Sequence, residues 1–159
     1  MTMRSSDLLD FIRRRSPALA LHMNEPLVNF MVVARKLCGD DLDAVLVMLV
    51  IVQRANRHPA FARLEPEEMH RTPPDELPSL RTNVRSIADS TGIPRETVRR
   101  KVQALSQRGL VEVKDRMVRF TPEGYCAVEP AREALVKLMA RVYRSVDAEL
   151  AKAVAEAEA

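Results

Sequence analysis

Residues 95–108, RETVRRKVQALSQR, crowd guanidinium, carboxylate and amide groups onto a stretch with helical periodicity. Val98, Val102 and Leu105 stand at i, i+4 and i+7, one apolar stripe that must pack inward. The opposite side then carries Glu96, Arg100 and Gln103, flanked by Arg95 and Arg99. These are the side chains that can hydrogen-bond base edges. Arginine pairs bidentately with guanine, glutamine pairs with adenine, and glutamate accepts from the cytosine amino group. Lys101, Arg108 and Arg81 are better suited to phosphate oxygens. Charge on an exposed helix can equally serve solubility, so the flanking elements decide.

Those elements have a recognisable order. Residues 84–90 read as a short helix that Asn83 or Thr82 can cap, with Ile87 and Ala88 facing inward. Thr91-Gly92 supplies a turn, because glycine takes positive φ without penalty. Ile93 is the apolar plug between the two helices, Pro94 suits a helix start, and Gly109 stops the second helix. Residues 110–114 and 117–121 read as two strands joined by a tight turn at Asp115-Arg116. Arg116, at the tip, is a candidate for the minor groove, whose narrow segments attract arginine. Helix, turn, helix and wing together place one helix in a DNA major groove. The expected fold class is mainly α, a winged helix-turn-helix with a two-stranded wing.

Charge segregates in the same way. The 159 residues carry a net charge of +3, but residues 80–120 hold ten Lys/Arg against four Asp/Glu. Residues 1–79 hold ten against eleven, and residues 121–159 five against seven. The basic excess therefore lies within the expected winged helix, as an electrostatic footprint for phosphate requires. Aromatics are 4% of the chain and Trp is absent, so the core must be aliphatic. Cys38 and Cys126 form no CxxC pair, and His22, His58 and His70 lack metal-ligand spacing. No metal or cofactor is expected. Reduced cysteines in a cytoplasmic protein are the expectation, with one disulfide between them as the alternative. The longest apolar run, residues 44–52, falls well short of a membrane span. No P-loop and no Ser/His/Asp or Cys/His grouping occurs, so an enzyme is not expected.

The segment GIPRETVRRKVQALSQRGLVEV, followed by DR and then RFTPEG, resembles the MarR group of winged-helix transcriptional regulators. The resemblance covers about residues 82–130. It implies DNA contacts from Arg95, Thr97, Arg99 and Arg100 on the helix and from Arg116 on the wing. The wing is shorter than is usual in that group, and Pro94 stands where a Ser or Asp cap is more typical. The RETVRRKVQALSQRGLV core is also similar to GntR-type winged helices.

The flanks read as helical. Residues 5–15 suit a short amphipathic helix with Arg13–Arg15 near its negative end, and Pro17 should break it. Residues 26–37 suit a second helix ended by Gly39. Asp40, Asp41 and Asp43 open a third, over residues 42–56, that is apolar nearly all round and must be buried on several sides. Five prolines between residues 58 and 78 mark a connector, in which Pro66 with Glu67 and Glu68 suits one helical turn. Thr121-Pro122 opens the last region, where residues 131–156 carry a continuous apolar stripe over about 39 Å of helix.

The expected organisation is an N-terminal helical dimerisation region (1–57), the connector (58–79), the DNA-binding domain (80–122) and a C-terminal dimerisation helix (123–159). The expected function is a sequence-specific, double-stranded DNA-binding transcriptional regulator. It acts as a homodimer on a palindromic operator, since a two-fold protein can span two half-sites one helical turn apart. A winged helix kept only for protein–protein contact is the alternative. An effector pocket for a small molecule is implied by analogy with the resembled group, with no residue naming the ligand.

Overall fold

The structure, a computed structural model, describes residues 5–65, 67, 75 and 77–158. The elements run α1 (Ser5–Leu37), α2 (Leu42–Asn56), a 3-10 turn (Phe61–Arg63), α3 (Val84–Thr91), α4 (Arg95–Gln107), β1 (Val111–Lys114), β2 (Met117–Phe120), α5 (Pro122–Ala127) and α6 (Glu129–Glu158). This is the mainly helical winged helix that the sequence implied. The chain divides into two compact units, Ala34–Pro130 and the pair Met1–Val33 with Ala131–Ala159.

In the unit Ala34–Pro130, α2 packs on α3, α4 and β2. Its fully buried Val47 and Ile51 serve the same core as Ile87, Val98, Leu105, Val118 and Phe120. The helix is not apolar-buried all round: Leu42, Leu46 and Leu49, at i, i+4 and i+7, form an exposed stripe. The connector rejoins the core at Leu77, which is buried, and Leu80 donates its N–H to the Arg54 carbonyl at 3.2 Å. The expected turn at Pro66 and Glu68 lies outside the described residues.

α1 ends in a Schellman arrangement: Asp40 N–H bonds the Arg35 carbonyl at 2.8 Å and Gly39 N–H the Lys36 carbonyl at 3.3 Å. Gly39, at φ +78°, takes the left-handed position this motif needs. Asp41 then caps α2, its side chain accepting from Ala44 N–H at 2.9 Å.

The wing is a two-stranded antiparallel hairpin with Val111 opposite Phe120 and Glu112 opposite Arg119. Asp115 and Arg116 both have positive φ, 52° and 62°, so the two-residue turn has the primed twist that right-twisted strands demand. Its base is pinned by Thr121. That hydroxyl donates to the Gly109 carbonyl at 2.6 Å and accepts from Gly124 N–H at 2.8 Å, capping α5. Gly124 is required by close approach, since a Cβ there would collide with the backbone carbonyl of Leu110.

The second unit corrects one expectation. Pro17 does not break the N-terminal helix; α1 is continuous from Ser5 to Leu37 with Pro17 and Pro26 inside it. An interior proline costs about 3 kcal/mol through a missing hydrogen bond and a ring clash, so contacts beyond the helix must offset it. Phe11 and Phe30, on either side of Pro17, are buried, and ion pairs to α6 flank it as well: Arg15 to Glu156 at 2.6 Å and to Glu149 at 3.8 Å, and Glu25 to Arg141 at 3.0 Å. Local propensity yields here to tertiary contact. Arg15 therefore serves α6 rather than the carbonyls of a helix terminus. α6 begins two residues earlier than expected, at Glu129, with Pro130 tolerated in the first turn, where its missing N–H has no partner to lose.

Candidate nucleic-acid interface

The local sequence builds the helix-turn-helix with few alternatives. Asn83 forms a capping box with Ser86, accepting from Ser86 N–H at 2.9 Å while the Ser86 hydroxyl accepts from Asn83 N–H at 3.1 Å. Gly92, at φ +72°, closes α3 and turns the chain. Ile93 is half-buried, and its N–H donates to the Thr91 hydroxyl at 3.3 Å. Pro94 precedes α4 without a side-chain cap bond, so the helix start carries only its backbone N–H groups.

Val98, Val102 and Leu105 are buried, as the stripe required. Arg95, Glu96, Arg99, Arg100 and Gln103 are exposed together on the other side of α4. Thr97 is half-buried at the flank, Arg81 is exposed ahead of α3, and Arg116 is exposed at the wing tip. Arg85, on the first turn of α3, is also exposed; a single arginine on a short helix has no distinguishing sequence pattern.

Three of the candidate residues, Glu96, Arg99 and Lys101, are engaged inside the free protein. Arg99 forks onto Glu96, with Nε 3.0 Å from Oε2 and Nη2 2.6 Å from Oε1. That hydrogen bond, with the charges of Arg99 and Arg100, holds the Glu96 carboxyl below its usual range. Glu96 thus presents Arg99 in a fixed fork rather than a free carboxylate. Lys101 is turned into the body of the unit, where it pairs with Asp41, the cap of α2. Sixty positions separate the partners, which left no local signature to find.

Arg108 lies against Gly39, where an added Cβ would meet its guanidinium at 2.8 Å. Cys38 is buried beside it, and burial pushes the thiol up to about 11 against the opposing charge of Arg108. A thiol held protonated in this way is a poor redox sensor. Among the described residues no group of three or more His, Cys, Asp or Glu is arranged to hold a metal ion, and no helix is long and apolar enough to cross a membrane.

Residues 79–131 match the family model of the sugar-specific transcriptional regulator TrmB. The match spans α3, α4, the wing and α5, about a third of the chain. No curated protein matches the chain, and no solved structure does. The TrmB match and the resemblance to MarR and GntR types meet on one class, the winged-helix transcriptional regulator. The same span contains all nine candidate DNA-facing residues: Arg81, seven on α4 and the wing arginine, Arg116.

Proposed function

We propose that the chain is a sequence-specific, double-stranded DNA-binding transcriptional regulator acting as a homodimer. Residues 95–108 enter the major groove, and the wing around Arg116 lies in or beside the minor groove. The observation that carries this reading is the exposed face of Arg95, Arg99, Arg100 and Gln103 within a winged helix that matches a transcriptional-regulator model. Bidentate donors and an amide on one helix side are what base reading needs, and the basic surround supplies the phosphate attraction.

Dimerisation is supported by the second unit. Leu21, Val28, Met139, Tyr143 and Val154 are exposed there, with Leu21 at 73% and Tyr143 at 71%. Apolar area of that extent on two long helices suits a second copy of the chain, and a two-fold pair suits a palindromic operator. The matched family's description gives sugars as the first class of effector to test.

The DNA reading is tested with the Arg99→Ala/Arg100→Ala double variant in fluorescence anisotropy on promoter fragments. Each base-reading arginine is worth about 1–3 kcal/mol, so the pair should weaken specific binding by tens-fold or more. Binding as tight as wild type would remove α4 from the interface.

A further inference from the structure

Among the described residues, Lys101 is the basic residue of α4 that pairs with a different element. Its ammonium donates to Asp41 Oδ2, and the two side chains are only 24% and 32% exposed. The other oxygen of the same carboxylate accepts Ala44 N–H at 2.9 Å. One carboxylate therefore ties the N-terminus of α2 to the middle of the recognition helix. Seven residues on, at the same helical phase, Arg108 lies against Gly39. The segment Cys38–Asp41 thus runs along one edge of α4, from Arg108 to Lys101.

That edge is not the base-reading side. Gln103 follows Lys101 by two residues, roughly 200° around the helix at 3.6 residues per turn. A side chain so placed points away from Glu96 and Gln103 and stands about 100° from its neighbour Arg100. The apolar seam between α2 and α4 is non-directional and resists separation more than sliding or rolling. A charge-assisted hydrogen bond to a helix cap is directional and resists both.

We propose that Asp41 and Lys101 form a positioning pair that sets the pitch of α4 against α2, and that Lys101 makes no phosphate contact. The proposal rests on the DNA-binding reading above for its functional consequence, though the pair itself is testable without DNA. Bidentate base recognition tolerates little misalignment, so loss of the pair should cost specific binding and spare non-specific binding.

The test uses the full chain and a duplex that the wild type selects from a random pool, with an unrelated duplex as control. Asp41→Asn removes the charge but keeps an oxygen able to cap α2. Lys101→Met keeps the stem and loses the charge, and Lys101→Arg can still reach Asp41. Asp41→Asn and Lys101→Met should each weaken binding to the selected duplex about tenfold, a coupling-sized effect. Binding to the unrelated duplex and the salt slope should stay as in wild type, and Lys101→Arg should restore specificity. A phosphate contact predicts the opposite pattern: uniform weakening by Lys101→Met, a salt slope shallower by about one, and a silent Asp41→Asn. That pattern overturns the proposal. Thermal unfolding without DNA reads the pair directly. The double variant should unfold no lower than Asp41→Asn alone, whereas additive shifts would show that the side chains do not act together. A wild type that binds no duplex in a salt-dependent way would sink the DNA reading, while the unfolding cycle still decides the pair.

Discussion

The unit Ala34–Pro130 and the unit formed by the two chain ends solve the burial problem differently. In the first, Val47, Ile51, Ile87, Val98, Val118 and Phe120 are all at most 2% exposed, and the turns at Gly39, Gly92, Gly109 and Asp115-Arg116 are set by left-handed residues. In the second, ion pairs hold α1 to α6 while Leu21, Val28, Met139 and Tyr143 face outward. Aliphatic burial supplies most of a domain's stability, whereas exposed ion pairs contribute about 0–1 kcal/mol each. The first unit therefore carries its own stability. The second leaves apolar side chains facing outward, which on the proposed reading a second copy of the chain covers.

That contrast can be broken from either side. The largest effect is expected from Phe120→Ala, which empties the space between the wing, Tyr125 and Leu110. The rings of Phe120 and Tyr125 lie 6.4 Å apart, and truncating a buried phenylalanine costs about 3–5 kcal/mol. Chemical denaturation should report that loss, with DNA binding lost alongside.

A Met139→Asp/Tyr143→Asp variant should leave the winged-helix unit folded, because both side chains are exposed. Surface changes of this kind shift unfolding by about 0.5 kcal/mol or less. Sedimentation should instead show the dimer lost, and DNA affinity should fall with it. An unchanged dimer would mean that the two-fold contact lies elsewhere, for instance on the Leu42–Leu46–Leu49 stripe of α2.

The smallest effect is electrostatic. The hydrogen bond from Lys101, aided by Ala44 N–H, holds the Asp41 carboxyl below its usual range. A depressed folded-state pKa adds stability that is fully present above the unfolded carboxylate value of about 3.9 and is lost as pH falls through the folded value. Wild type should thus lose its advantage over Asp41→Asn only below about pH 4, in parallel acid titrations of unfolding.

How legible each part was in the sequence follows from the range of the forces that make it. Asn83, Gly92, Gly109 and the Val98–Val102–Leu105 stripe act over a few residues, so the helix-turn-helix and wing could be read directly. The helix at residues 42–56 was legible because Asp41 caps it and polar residues end it. The continuity of α1 was not, because Pro17 is a strong local breaker and the offsetting partners sit more than 100 positions away on α6. Lys101 looked like any other basic residue of α4 for the same reason. Its role depends on Asp41, which reads locally as a cap and nothing more. Glu96 could be assigned to the exposed side, but only the fold revealed it as the partner of Arg99.

The central claim is that the exposed side of α4 reads a DNA sequence as half of a two-fold pair. The most direct measurement is selection of bound duplexes from a random pool by the full-length protein, followed by sequencing. A recurring palindrome with half-site centres about 10 base pairs apart is the predicted result. Recovery of unrelated sequences with no shared motif, from a protein shown to be folded, would contradict it.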